Sequence, residues 1–226
     1  MSIGCKIIRD FVRPAQELVE LFRDVPVANI DDCMGRTAAV DAGIKPVGTC
    51  RQLLGTAFTV RVPQGDNLMF HAAMDLAKPG DVILIDAGGY EDRAILGELM
   101  ATYCKTRGVR GIVCDGAIRD WDGLAQMEDF TVYARGANPN GPYKNGPGEI
   151  NTPINIGGRV VRPGDIVVGD DDGLIFIDPA DAKDLAEAVR KVEAMEAGIM
   201  DKILNEGTYI RPWVEEKLQQ IGCTII

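Results

Sequence analysis

The stretch GELMATYCKTRGVRGIVCDGAIRD, residues 97–120, decides the fold of this chain. Its first part, to about residue 107, is typical of a helix, and GIVCDG at 111–116 is a short apolar run typical of a buried strand. A turn containing Gly108 separates the two. We therefore predict a helix followed by a strand.

The same alternation extends on both sides of this stretch. It predicts an α/β fold with partly parallel strand pairing, organised as one domain over residues 1–226 with helices at both ends. The predicted strands are 55–63, 81–89, 111–116, 130–136, 152–161 and 165–178, and a turn at DDDG divides the last of them. The predicted helices are 15–24, 67–77, 97–107 and 179–204. We also expect Asp31 or Asp32 to cap a short helix within 25–36, and Asp178 to cap the helix 179–204.

Charged residues bracket the opening stretch, with Glu98 at the helix start and Arg119 and Asp120 just beyond the strand. In a β-α-β unit these positions return to the carboxyl edge of the sheet, where open α/β folds bind their ligands. Two carboxylates there are hard oxygen ligands for Mg²⁺ or Mn²⁺. The guanidinium can grip a carboxylate, and the first amides of the helix, at Leu99 and Met100, can donate to an anion. The alternative is a surface salt bridge of Arg119 with Asp120 or Glu98.

Composition excludes several function classes. The chain has 34 acidic and 24 basic residues, a net charge of −10, and no basic cluster, so we expect no nucleic-acid partner. The longest apolar runs are too short to span a membrane, and the six cysteines form no C-x-x-C motif. These features predict a cytoplasmic protein with reduced thiols.

Other catalytic chemistries lack the residues that they need. His71 is the only histidine, which excludes a zinc site with several imidazoles, and it lies in an apolar helix, so we interpret it as packed or hydrogen-bonded rather than catalytic. The lysines lie in polar or turn-like contexts, which argues against a Schiff base. The stretch QGDN, residues 64–67, can line a pocket through its backbone donors, or Asp66 can simply cap the next helix. The glycine- and proline-rich loop 136–151 is a candidate lid or subunit contact.

The pattern of an acid, 20 residues and Arg-Asp, met by Glu98, Arg119 and Asp120, resembles that of the metal-dependent 4-hydroxy-4-methyl-2-oxoglutarate/4-carboxy-4-hydroxy-2-oxoadipate aldolases. These enzymes share a family with the regulator of ribonuclease activity A. The resemblance extends through PQGDNLMFHAAMDLAKPGDVILID, GVRGIVCDGAIRD and RPGDIVVGDDDGLIFI and covers a core of about residues 25–205.

The resemblance implies a layered α/β/β/α swivelling-domain fold and a homotrimer or homohexamer with sites between subunits. It implies that Glu98 and Asp120 hold Mg²⁺ or Mn²⁺, and that Glu196 from a neighbouring subunit completes the site, with Glu193 as the rival. Arg119, with Gly97 and the amides of Leu99 and Met100, would bind the carboxylate of a small 2-oxo acid.

The implied activity is class II aldol cleavage to pyruvate, with oxaloacetate decarboxylation as a side activity. Glu98 departs from the Asp that is frequent at this position of the family. The alternative is a non-catalytic regulator that binds an RNA-processing enzyme. Asp120 favours the catalytic branch, because a binding protein does not need a carboxylate beside Arg119.

Overall fold

A computed structural model describes residues 4–48 and 52–224 of the chain. Two compact units are distinguished by their internal contacts, Met1–Ala186 and Glu187–Ile226. The first unit holds the sheet and the helices around the stretch 97–120. The second consists of the greater part of one long helix and a short helix after it.

The strands of the first unit range from two to sixteen residues in length, and the four longest form its centre. Their bounds are β1 Cys5–Ile7, β2 Lys45–Pro46, β3 Leu53–Arg61, β4 Asp81–Leu96, β5 Gly111–Ile118, β6 Thr131–Ala137, β7 Gly148–Ile150, β8 Ile154–Ile156, β9 Arg159–Val161, β10 Ile166–Gly169 and β11 Leu174–Ile177. The helices are α1 Gln16–Val19, α2 Val27–Cys33, α3 Leu68–Leu76, α4 Glu98–Thr106, α5 Trp121–Ala125, α6 Ala182–Glu206 and α7 Pro212–Gln220, with a short 3-10 helix at Glu20–Phe22.

Four parallel strands form the centre of the main sheet in the order β3-β4-β5-β6. Strands β7 and β10 both pair antiparallel with β3, and β2 pairs antiparallel with β6. Strands β8 and β9 form a separate antiparallel pair. The predicted α/β fold with partly parallel pairing is confirmed.

Successive side chains of the central strands enter two different cores. Phe58 and Ile85 pack with residues of α3, α4 and α5 on one face of the sheet. Their neighbours Ala57 and Leu84 pack on the other face, with β8 to β11 and Ile44. Strands buried on both faces read as continuous apolar runs, which explains why the sequence pattern located them well.

Some predicted boundaries are wrong. The run 152–161 is a hairpin of two short strands rather than one strand, because Gly157 and Gly158 adopt positive φ angles of 51° and 83° and reverse the chain. Strand β4 continues seven residues beyond the predicted end at 89, with register shifts against β5. The 15–24 helix is only a short α-helix followed by the 3-10 turn.

The predicted caps also need correction. Asp31 and Asp32 lie inside α2, and Asp31 accepts hydrogen bonds from the amides of Ala38 and Ala39 beyond the helix. The last predicted helix begins at Ala182 rather than at residue 179. The Asp178 carboxylate accepts a hydrogen bond from the Ala180 amide, which makes a turn before the helix starts. Helix α7 was not predicted. None of the described helices is long and apolar enough to cross a membrane.

Burial predicts how the cysteines react. Cys104 and Cys114 are fully buried, and burial raises the pKa of the Cys104 thiol to about 12 and raises that of Cys114 further. Cys5 and Cys223 are exposed and Cys33 is partly exposed, whereas Cys50 lies outside the described residues.

We therefore expect a variant with Cys5, Cys33, Cys50 and Cys223 replaced by serine to be inert to a thiol-specific disulfide reagent at pH 8 while folded. In denaturant, both remaining thiols should react. Rapid modification of the folded variant, shown to be native by circular dichroism, would contradict the burial of these two side chains.

Candidate active site

The ends of two adjacent parallel strands are tied together at the predicted edge. Strand β4 ends at Leu96. The backbone carbonyl oxygen of Leu96 accepts a hydrogen bond from the backbone amide of Arg119, just beyond β5, with an N···O distance of 3.0 Å. The amide of Glu98, the first residue of α4, donates to Oδ2 of Asp120 at 3.1 Å. The sequence prediction that Glu98, Arg119 and Asp120 come together is therefore met by the geometry.

Asp120 has an unusual backbone conformation, with φ 61° and ψ 42°. Aspartate tolerates this left-handed region better than most residues. It lies at the junction between β5 and α5, and its carboxylate reaches back over the start of α4 rather than continuing along the strand. The conformation thus aims a charged oxygen at the helix start.

Two glycines make room for the two carboxylates. A side chain on Gly97 would overlap the Asp120 carboxylate, and one on Gly123 of α5 would overlap the carboxylate of Glu98. Gly97 has φ −146°, which other residues adopt freely, so close approach is the constraint here. Gly123 was not identified from the sequence.

Among the described residues, the side chain of Arg119 makes one ion pair, and that pair is long. Its Nε lies 3.9 Å from Oδ2 of Asp120, and both side chains are about half exposed, at 48% and 46%. A pair of this length and exposure contributes little to stability. Because the contact is longer than a hydrogen bond, the guanidinium keeps its capacity to donate to an anion.

A cavity of about 290 Å³ lies beside these groups. Its walls include the predicted residues Gly97, Leu99, Met100, Arg119 and Asp120. They also include Asn67, from the stretch 64–67 that was a candidate pocket lining, and residues that were not assigned to a site from the sequence: His71, Ile95, Leu96, Pro142 and Lys144. The cavity joins the start of α4, the start of α3 and the loop after β6.

One expectation about backbone donors needs correction. The Met100 amide was expected to be unpaired, but it donates to the carbonyl of Gly97 at 3.2 Å. A tight first turn of α4 accounts for this bond, and the Ala101 amide shares the same acceptor. Met100 therefore contributes its side chain to the cavity wall.

The loop after β6 forms part of the cavity wall, and hydrogen bonds hold it in place. We call residues 138–147 the cavity loop. The buried carboxylate of Asp66 accepts hydrogen bonds from the amides of Asn145 and Gly146, at 2.6 and 3.1 Å, and from Leu68 at the start of α3, at 2.9 Å. The Asp66 carboxylate thus caps the start of α3, which was one of the two expectations from the sequence. It also holds the backbone of the cavity loop in place.

Arg93 fixes the other half of the cavity loop. Its guanidinium lies 4.2 Å from the ring centroid of Tyr143 and donates to the Tyr143 hydroxyl and to the Gly141 carbonyl, both at 2.9 Å. Backbone bonds join Tyr143 to Gly65 and Asn67. Anchors at both ends support a fixed wall rather than a loose lid.

His71 lies on the cavity wall, partly buried. Burial lowers the pKa of this imidazole, and the positive charge of Lys144 lowers it further. His71 is therefore neutral at pH 7. The sequence pattern, a single histidine in an apolar helix, gave no indication that it faces a cavity.

The donor set suits a hard divalent cation. Glu98 and Asp120 supply carboxylate oxygens, which fit Mg²⁺ or Mn²⁺ better than softer metals. Within residues 4–48 and 52–224, however, no three potential ligand side chains cluster closely enough to hold a metal by themselves. A cation held by Glu98 and Asp120 would keep most of its water, as Mg²⁺ usually does in proteins.

Glu193 and Glu196, predicted to complete the site, belong to α6 in the second unit. Glu193 is partly buried and Glu196 is exposed. Their role in the site stays a prediction.

A larger groove of about 660 Å³ lies at the other ends of the parallel strands. It includes Gly80, Arg110 and Thr131, at or next to the amino ends of β4, β5 and β6. Its Glu20 and Arg23 pair with each other. Open α/β sheets bind ligands at the carboxyl ends, so we assign the smaller cavity as the candidate site.

Comparison with known proteins finds a matching family model and several similar proteins. The family model described as RraA-like (Aldolase/RraA) matches residues 27–176. A protein of Halalkalibacterium halodurans with the provisional name 4-hydroxy-4-methyl-2-oxoglutarate aldolase is 37% identical over 202 residues, which is 88% of this chain and 96% of that protein.

Two solved structures are also similar. The Streptomyces coelicolor protein RraAS2, described as an unusual member of the RNase ES inhibitor RraA family, has a TM-score of 0.75 and 26% identity, covering 83% of this chain and 98% of its own. The RNA-processing inhibitor RraA of Thermus thermophilis has a TM-score of 0.62 and 28% identity, covering 67% and 92%.

The contact at Gly97 predicts a specific defect. In Gly97→Ala the new methyl group must displace the Asp120 carboxylate, and a misplacement of about 1 Å in a catalytic group can cost about 100-fold in turnover. If the cavity is an active site, the steady-state turnover of its substrate should therefore fall by about that factor while the fold is retained.

Thr102→Ala is the matched control, because Thr102 is exposed on the same helix and lies outside the cavity. Both variants should have wild-type circular dichroism. Unchanged turnover in Gly97→Ala would show that the position of Asp120 does not matter.

Proposed function

The chain belongs to the RraA-like family, and we propose that within it this protein is a divalent-metal-dependent class II aldolase. Its proposed substrates are 4-hydroxy-4-methyl-2-oxoglutarate or 4-carboxy-4-hydroxy-2-oxoadipate, cleaved to pyruvate and a second oxo acid. One observation carries the proposal: the Asp120 carboxylate is held over the start of α4, next to Glu98 and Arg119, at the wall of a small cavity.

The side chains divide the work by charge. Arg119 would bind the carboxylate end of the 2-oxo acid, for which a guanidinium is better suited than an ammonium. Glu98 and Asp120 would hold Mg²⁺ or Mn²⁺, which when bound stabilises negative charge on an oxygen of the substrate. Leu99 and Met100 would exclude water from the apolar part of the substrate.

The reaction itself is a retro-aldol cleavage. The C4 hydroxyl loses its proton, its oxygen becomes a carbonyl, and the C3–C4 bond breaks with its electron pair remaining on C3. The resulting pyruvate enolate then takes up a proton at C3. Loss of CO₂ from oxaloacetate gives the same enolate, so we expect oxaloacetate decarboxylation as a side activity.

We further propose that the protein is a homotrimer or homohexamer in which Glu196 of a neighbouring subunit completes the site, with Glu193 as the alternative. The support is the resemblance to the aldolases, which implies an oligomer with sites between subunits; a carboxylate from a neighbouring subunit would add one oxygen ligand to the two of this chain.

A second candidate function is that of a non-catalytic regulator which binds an RNA-processing enzyme. The support for it is the similarity to the Thermus thermophilis RNA-processing inhibitor. The arrangement of Asp120 favours the enzyme, because a left-handed backbone and a glycine are both used to position a carboxylate that a binding protein does not need.

The direct test is pyruvate release from 4-hydroxy-4-methyl-2-oxoglutarate, 4-carboxy-4-hydroxy-2-oxoadipate and oxaloacetate, with added Mg²⁺ or Mn²⁺ and after chelation. We expect cleavage of at least one aldol that stops on chelation and returns when metal is restored. Asp120→Ala should abolish it. Arg119→Lys should lose about 100-fold or more in kcat/KM, because the ammonium keeps the charge but loses the fork.

Release from oxaloacetate alone would identify a decarboxylase instead. If folded, metal-loaded protein released no pyruvate from any of the three compounds, the regulator would become the better assignment.

Subunit mixing tests the shared site. Glu196→Ala and Asp120→Ala proteins should each be inactive alone. When their subunits are mixed, part of the wild-type activity should return, because some sites then contain Asp120 from one subunit and Glu196 from its neighbour. Mixing must be shown independently, for example by native mass spectrometry with one isotope-labelled partner. Proven mixing without any recovery would exclude Glu196 as the contributor, and Glu193→Ala would then be tested in the same way.

A further inference from the structure

The candidate cavity carries a second positive group apart from Arg119. Lys144 of the cavity loop contributes to its wall, and so does His71 of α3. Since His71 is held neutral, the positive charge on this part of the wall comes from Lys144. The two cations of the wall thus come from separate elements, Arg119 from the junction after β5 and Lys144 from the cavity loop.

The position of Lys144 is fixed by the backbone on both sides of it. The next two residues, Asn145 and Gly146, donate their amides to the buried carboxylate of Asp66. The preceding residue, Tyr143, exchanges backbone hydrogen bonds with Gly65 and Asn67 at 2.8 and 3.0 Å. A flexible side chain on such a constrained backbone loses less freedom on binding than one on a mobile loop.

The chemistry of the proposed substrates gives this second cation a role. A 4-hydroxy-2-oxo dicarboxylate has one carboxylate beside the keto group and another at the far end of the molecule. Arg119 accounts for the first. From the cavity geometry we propose that Lys144 is a specificity-determining residue that binds the distal carboxylate, with His71 beside it on the cavity wall.

This inference rests on the proposed function for the identity of the substrate, but it makes a separate claim: the cavity selects 2-oxo acids with a second carboxylate. Asp66 and Arg93 are positioning residues in this scheme, because they act on the ligand only through the loop that carries Lys144. Neither of them contributes to the cavity wall.

Two ligands that the protein cannot cleave allow the contribution of the distal carboxylate to binding to be measured by itself. 2-Oxoglutarate and 2-oxopentanoate share the 2-oxo acid end and differ only at the distal end, where one has a carboxylate and the other a methyl group. Both lack the C4 hydroxyl, so neither can undergo aldol cleavage. Their dissociation constants can be measured by titration calorimetry on wild-type protein in the presence of Mg²⁺.

We expect wild-type protein to bind 2-oxoglutarate about tenfold or more tightly than 2-oxopentanoate; tenfold is about 1.4 kcal/mol, close to the smallest contribution expected of a hydrogen bond to a charged group. Lys144→Met should remove most of that preference by weakening 2-oxoglutarate alone. Lys144→Arg should retain it. Lys78→Met is the matched control, since Lys78 is exposed in the same unit and outside the cavity.

The outcomes separate the inference from the proposed function. Equal binding of both ligands by wild-type protein, or an undiminished preference in Lys144→Met, would overturn the role of Lys144 and leave the aldolase proposal standing. Binding of neither ligand by folded protein with Mg²⁺ would overturn both. A preference that depends on Lys144 in a protein that fails to cleave any aldol would uphold the subsite and reject the aldolase.

Discussion

The hydrogen bond from the Glu98 amide to Asp120 Oδ2 is the interaction on which the candidate site depends. It joins the start of α4 to the turn after β5, so the carboxyl ends of two parallel strands and the start of the helix between them meet at one point. The bond also fixes the orientation of a carboxylate that would otherwise rotate freely in solvent. Because Asp120 has a left-handed backbone and faces a glycine, no ordinary continuation of the strand would give the same geometry.

This constraint explains why the charged groups do not neutralise one another. Arg119 and Asp120 are adjacent in sequence, yet their side chains approach only to 3.9 Å and remain about half exposed. The hydrogen bond to the backbone of α4 holds the carboxylate away from an ideal pairing with the guanidinium. A guanidinium and two carboxylates that are not paired tightly can each meet a different part of a ligand, whereas a closed salt bridge could not.

The cavity loop adds a second constraint of the same kind. A buried aspartate and a guanidinium stacked on tyrosine fasten a segment whose composition would otherwise predict irregular, mobile structure. Burying the Asp66 charge is tolerated because three backbone amides donate to it. The loop can therefore supply a defined wall of a binding cavity without forming a helix or a strand.

The sequence by itself determined the alternation of strands and helices, the central strands and the grouping of Glu98, Arg119 and Asp120, because these depend on local periodicity and on where a β-α-β unit returns. It failed at the hairpin 154–161, at the start of α6 and at the Met100 amide, where turn chemistry and first-turn hydrogen bonds decide the outcome. It also gave no sign that His71 and Lys144 face one cavity. Only the tertiary structure decided that, because residues 71, 119 and 144 are brought together by packing and by the anchoring of the loop, and no periodicity along the chain records which distant surfaces will meet.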